Sequence, residues 1–219
     1  MVSIVDLSHH IEDGMITYTG LPGPKITDHL TREASRAHYA QGTSFQIGKI
    51  EMVANTGTYI DAPFHRYADG KDLSQFDLES IANLDGLVFQ ADPGSRAISP
   101  DFFQDRDVSG KAVLIHTGWD RHWSTAQYFE DHPFLTRESA EYLKSADAAL
   151  VGIDSLNIDD NTDGRRPVHT ILLGAEIPIV EHMCNLGSLP ESGFRFFAVP
   201  APVKGMGSFP VRAFALIEN

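Results

Sequence analysis

Asn55-Thr56-Gly57-Thr58-Tyr59-Ile60-Asp61-Ala62-Pro63-Phe64-His65 packs a glycine, an acid, a proline and an imidazole into one short turn. Gly57 opens backbone angles closed to other residues. Pro63 fixes its own φ and pushes Ala62 toward an extended form. Alternation along an extended segment puts Tyr59, Asp61, Pro63 and His65 on one side. A carboxylate and an imidazole then face the same space, which suits a metal ligand beside a proton shuttle or an acid–base pair. The competing structural account is a loop in which Asp61 caps a turn and His65 bonds to backbone.

Working outward, residues 45–53 read as a strand leading into this turn, with a bulge expected at Gly48. Upstream, residues 2–7 are a short apolar run, expected to be a buried strand. His9 and His10 are adjacent, so in a strand they would point to opposite sides, and they read as polar groups of the surface or core rather than as ligands. Gly14, Gly20, Pro22, Gly23 and Pro24 make residues 13–25 an extended loop, and residues 26–40 have no clear state. Downstream, Asp69-Gly70 signals a turn, Arg66 is a candidate for a substrate carboxylate, and Asp77 is placed to cap a helix through residue 83. Strands are expected at 86–91 and 111–117, joined by residues 93–105 with a helical piece at 100–104. Trp119, Trp123, Tyr128 and Phe129 form an aromatic cluster that is core packing or a dimer surface by default and a substrate wall in the sharper reading. Thr136 is expected to cap a helix over 137–146.

Residues 148–153 are another buried strand, running into an acidic segment. Asp159, Asn161, Asp163 and Gly164 match half of a calcium-loop pattern, but Thr170 stands where its bidentate Glu belongs. A solvated turn is the expected account. Residues 167–174 read as a helix with Pro167 in its first turn and Gly174 at its end. Residues 177–181 are extended, and Glu181 closes an apolar run, which implies a partner or water. Strands at 193–200 and 211–217 finish the chain, joined by a Gly-rich loop at 202–210.

The chain has 219 residues, a hydrophobic content of 42% and a net charge of −13. One domain is expected over 1–219, with residues 1–40 including an extended arm. The acidity argues against nucleic acid and anionic membrane surfaces as partners, but a local Arg cluster can still take an anion. Cys184 is the single cysteine, so no intramolecular disulfide forms and a cytoplasmic setting is expected. No apolar run reaches membrane-spanning length.

The opening stretch resembles the signature H-x-G-T-H-x-D-x-P-x-H of the cyclase family of metal-dependent hydrolases. Gly57, Thr58, Asp61, Pro63 and His65 fit, while Asn55 and Tyr59 stand at its first two histidines. Tyr18-Thr19-Gly20 looks like the family's pocket-lining aromatic segment, and His169 and Glu181, the latter in Ile177-Pro178-Ile179-Val180-Glu181, stand at the spacing of its later ligands. Gly118-Trp119, Val151 to Ser155, Asn185-Leu186 and Pro210 to Ala213 also look like family segments, so the resemblance covers nearly the whole chain.

The resemblance implies an α/β fold, a mixed, β-rich barrel-like sheet with flanking short helices, of the swivelling β/β/α type, in a homodimer or homotetramer. It implies hydrolysis of an amide-like or cyclic amide C–N bond of a small-molecule substrate, as in an arylformamidase. Asp61, His169 and Glu181 would hold metal, His65, Tyr59 and Asp61 would carry catalysis, and Tyr18, Asn55 and Arg66 would contact substrate. Asn offers only a neutral carbonyl, and Tyr binds metal well only after losing a proton from a phenol of pKa about 10. One divalent cation, Zn or Mn, is therefore expected rather than two, or a depleted site. Two other readings use the same residues: a metal-independent lyase, isomerase or cyclase working through Tyr59, Asp61 and His65, and a non-catalytic small-molecule-binding protein.

Overall fold

The structure is a computed structural model and describes residues 2–92 and 94–218. In chain order the elements are β1 (Val2–Asp6), β2 (Lys25–Leu30), α1 (Arg32–Ser35), β3 (Ile47–Glu51), β4 (Tyr59–Asp61), β5 (Leu84–Gln90), β6 (Ala97–Ile98), β7 (Ala112–His116), β8 (Phe134–Leu135), α2 (Arg137–Ser145), β9 (Leu150–Ile153), α3 (Pro167–Gly174), β10 (Ile179–Glu181), β11 (Phe194–Phe197), β12 (Ser208–Pro210) and β13 (Phe214–Glu218). Nine of the strands make one sheet in the order β1-β13-β11-β5-β7-β9-β10-β4-β12. The middle four, β5, β7, β9 and β10, run parallel, and the remaining pairings are antiparallel. The sheet curls into a half-barrel, as the expected mixed, β-rich class requires.

The parallel centre explains why those strands read as continuous apolar runs: both faces are covered. Val113 and Ile115 of β7 face a core with Ala140 and Leu143 of α2 and Val168 and Leu172 of α3. Ala112 and Leu114 face the opposite core, with Ile60, Leu150, Val180 and Phe196. Each fully buried Leu or Ile on these faces contributes about 2 kcal/mol of apolar transfer. Thr136 caps α2 as expected, its hydroxyl accepting from the Ser139 amide at 3.2 Å.

Several expectations need correction. Residues 2–7 do form a strand, but β1 is an edge strand paired only with β13, and Ile4 is 70% exposed. β2 and β3 form a separate two-stranded sheet, and its register shift falls between Asp28 and Leu30 of β2, opposite Gly48 and Ile47, so the extra residue is in β2 rather than at Gly48. Residues 202–210 hold β12, which docks on β4 at the sheet edge, where Pro210 needs no partner for a missing N–H. Asp77 begins only a 3-10 turn, Leu78–Ser80, with no side-chain cap; the true capping box belongs to Asp72, over Leu73–Gln75. The acidic segment is solvated only in its second half: Asp154, Asn157 and Asp159 are buried. The expected connection 93–105 begins at Pro93, which lies outside the described residues, and its helical piece is the 3-10 turn Pro100–Phe103.

Candidate active site

Strand β4 sets the geometry. Ile60 points into the core while Tyr59 and Asp61 project from the other face, both buried. The strand stops at Ala62-Pro63, and Pro63 opens the 3-10 turn Pro63–His65. That turn, not strand alternation, brings His65 back over Asp61. Antiparallel pairing puts Glu181 of β10 opposite Tyr59, and the Tyr59 hydroxyl donates to Glu181 Oε2 at 2.5 Å. Glu181 Oε1 accepts the Ile158 amide at 2.7 Å. Its ending of an apolar strand is thus explained by a phenol and a backbone donor.

His169 enters from α3. Asp159 accepts the amides of Val168 and His169 at 2.7 and 3.0 Å and sits 2.6 Å from His169 Nδ1. A carboxylate beside Nδ1 fixes that nitrogen as donor, so Nε2 faces the site. Nε2 lies 3.6 Å from Asp61 Oδ2 and 3.7 Å from Glu181 Oε1. Asp61, His65 and His169 each offer one ligand-type atom, all within 4.8 Å of one another. The Ser208 hydroxyl donates to Asp61 Oδ1 and lies 2.9 Å from His65 Nδ1. Since that proton is spent on Asp61, Nδ1 donates to Ser208 and His65 Nε2 keeps its lone pair.

Electrostatics follow from burial. Desolvation, then Glu181 and Asp61, raise Tyr59 well above the usual phenol value, so it is a neutral hydrogen-bond donor. Burial pulls His169 down, but Glu181, Asp159 and Asp61 outweigh it and carry the imidazole to about 10. Burial likewise raises Glu181, against the pull of His169. Asp61 Oδ2 is buried without a hydrogen-bond partner. Three carboxylates around one imidazole, with an orphaned oxygen between them, fit a divalent cation taken by oxygen and nitrogen donors. A neutral phenol and Asn55 do not add a second set of strong ligands.

A cavity of about 500 Å³ opens over this centre. Tyr18, Asn55, Tyr59, His65, Arg66, His169 and Glu181 line it, and Asp61 lies buried beneath. The structure therefore gathers every candidate read from the sequence. It adds Ser208, Asp159, Asn157 and Arg166, which sequence reading missed. Asp159 lay in the segment taken as solvated, with its spacing of ten residues before His169 as the only clue. Ser208 had no local signal, because only β4–β12 pairing brings it near. The aromatic cluster does not line the cavity: Trp123 stacks on His9 at 3.9 Å and meets Tyr128 edge-on, and Tyr128 bonds His182 Nδ1 at 2.9 Å. Tyr128 is buried, while Trp119, Trp123 and Phe129 are half-buried.

Fold and centre together define a class: a curled mixed sheet carrying a carboxylate–imidazole cradle beside a small-molecule cavity. The chain belongs to the Cyclase family, whose model, described as "Putative cyclase", matches residues 5–160. It is similar to kynurenine formamidase of Geobacillus thermodenitrificans, 29% identical over 211 residues and 95% of each chain. It is also similar to kynurenine formamidase of Bacillus cytotoxicus, 26% identical over 210 residues and 95% of each chain. Among solved structures it superposes on isatin hydrolase A from Labrenzia aggregata with a TM-score of 0.84 at 20% identity, covering 100% of this chain and 94% of that one. A structure described as a potential metal-dependent hydrolase with cyclase activity gives 0.82 at 24% identity, with full coverage of both chains.

Proposed function

We propose that this protein hydrolyses an amide-like or cyclic amide C–N bond of a small molecule, in the manner of an arylformamidase, with one divalent cation. The observation that carries the reading is the unpartnered, buried Asp61 Oδ2 facing His169 Nε2 under the cavity. Asp61, His169 and Glu181 would hold the cation. When bound, a divalent cation polarises a carbonyl and lowers the pKa of water toward ~7. His65 Nε2 takes the proton of the attacking water. As the C–N bond breaks, the imidazolium returns that proton to the leaving nitrogen, giving an amine and a carboxylic acid, which ionises by giving its proton to solvent. Ser208 and Asp61 hold the His65 ring for both transfers. Tyr59 donates to Glu181 and keeps that carboxylate in place. Asn55, Tyr18 and Arg66 contact the substrate from the cavity wall.

Kynurenine formamidase relatives over nearly the full chain support this reaction class. The test is metal analysis of protein purified without chelator, together with turnover of formanilide. About one equivalent of Zn or Mn and chelator-sensitive hydrolysis are expected. Less than a tenth of an equivalent, with no rescue by added metal, would leave the metal-independent reading through Tyr59 and His65 in its place.

A further inference from the structure

Glu181 and His169 come from different elements, β10 and α3, yet one stretch of three residues holds both. The Ile158 amide donates to Glu181 Oε1 at 2.7 Å. Asp159 accepts the His169 amide at 3.0 Å and lies 2.6 Å from its Nδ1. Asn157 completes the stretch: its Oδ1 accepts from the Asp159 amide at 3.0 Å and from Arg166 at 3.2 Å. With that oxygen facing two donors, the amide nitrogen is turned toward Glu181 Oε2, 3.5 Å away. The flipped amide would set an oxygen against the carboxylate. Asn157, Asp159, His169 and Glu181 are all buried, so a shift of this stretch is passed on to both ligand side chains.

Arg166 holds the stretch from the cavity wall. It is the only arginine with a positive φ among the described residues, at φ 48° and ψ 61°, immediately before α3. Left-handed backbone is uncommon for a residue with a Cβ and persists where surrounding contacts over-determine it. Here the contacts run back along the chain. One terminal nitrogen of the guanidinium meets Asn157 at 3.2 Å and Asn161 at 2.5 Å, and the other meets the Tyr18 hydroxyl at 3.0 Å. The Arg166 carbonyl meanwhile accepts the Thr170 amide at 3.0 Å in the first turn of α3. The guanidinium thus closes the loop 157–166 onto the helix that carries His169, while the Leu135 amide ties the Ile158 carbonyl from behind. We infer that Arg166 is a positioning residue for the cation site: it holds Asn157-Ile158-Asp159 as a bracket that sets Glu181 and His169 relative to each other. The inference rests on the metal reading proposed above for the ligand roles, but the bracket itself forms without a metal.

The experiment therefore has a metal arm and a metal-free arm. Co(II) affinity by chelator competition and the visible absorption of the Co(II) protein form the first. Amide hydrogen exchange at Ile158 and His169, read by NMR in metal-free protein, forms the second. Both are measured on the parent, Arg166→Gly, Arg166→Lys and Arg165→Gln. Arg166→Gly removes the guanidinium while easing the left-handed backbone. It should weaken Co(II) about tenfold, shift the absorption, and speed exchange at both amides about tenfold, with β5 and β7 exchanging as in the parent. Millimolar guanidinium should restore part of each. Arg166→Lys keeps the charge without the fork that spans the asparagines and Tyr18, and should stay nearer to Arg166→Gly than to the parent. Arg165→Gln removes the same charge one residue away and should match the parent. Parent-like Co(II) affinity and amide exchange in Arg166→Gly or Arg166→Lys overturn the inference. So does an equal loss in Arg165→Gln, which makes the effect one of charge, or a change confined to the KM for formanilide, which makes Arg166 a substrate contact. A parent protein that takes up no Co(II) removes the metal reading alone; faster exchange at Ile158 and His169 in Arg166→Gly then still upholds the bracket, and unchanged exchange overturns it.

Discussion

At the scale of single residues, the site depends on which hydrogens are already spent. Ser208 gives its proton to Asp61, so His65 must donate from Nδ1 and keep a free Nε2. Asp159 does the same for His169. Proton-carrier and ligand roles can therefore be separated by one substitution. His65→Ala should keep the bound metal near one equivalent and lower kcat about 10²- to 10⁴-fold. Loss of the metal in that variant, read by elemental analysis, would make His65 a ligand instead. Asp159→Asn should weaken metal affinity about 10- to 100-fold, because the ring it orients and polarises loses its carboxylate; a chelator competition series measures this.

At the scale of elements, two contacts hold strands to the site. Gly207, just before β12, lies so close to His65 that an added Cβ would sit 2.4 Å from its amide nitrogen and 2.5 Å from its Cα. Backbone cannot yield as a side-chain tip can. Gly207→Ala should separate β12 from the turn, costing about 1–3 kcal/mol and most of the activity; urea midpoints and kcat together check it. Asp154, after β9, clamps the end of β7 through the Thr117 amide and hydroxyl and the Gly118 amide. Burial raises its carboxyl to about 7 against those three donors. An acid with a raised folded value adds stability below its unfolded value near 4 and loses it as the pH climbs through 7. Between pH 5 and 8 the parent protein should therefore lose about 2 kcal/mol that Asp154→Asn does not lose. Parallel slopes in urea titrations of the two proteins would contradict this.

At the scale of the whole molecule, the arm is the part left without a core. Ile26, Ile47 and Ile50 of the β2–β3 hairpin are 45–48% exposed, and an isolated two-stranded sheet is marginal in water. A second copy of the chain covering these side chains is the expected arrangement. Light scattering should give at least twice the 24.1 kDa of one chain, and Ile50→Asp should shift the population toward single chains. A parent protein that runs at the mass of one chain at micromolar concentration would exclude it. Among the described residues no helix is long and apolar enough to cross a membrane.

The central strands and the starts of α2 and α3 were legible in the sequence, because they follow from local rules, and the side chains that line the cavity were legible through the family segments. Thr136 before a helix, Pro167 opening one, and alternating Tyr59 and Asp61 each act within a few residues. Tertiary structure alone decided the rest. Apolar pattern cannot say whether a strand is an edge or a centre, so β1 read as buried and β12 as loop until the sheet order was fixed. An acidic run is solvated or buried according to what folds onto it, and α3 folded onto Asp159. Ser208 lies 147 residues from Asp61 in the chain, and no local propensity acts across that distance. Strand pairing and the curl of the sheet brought the two together.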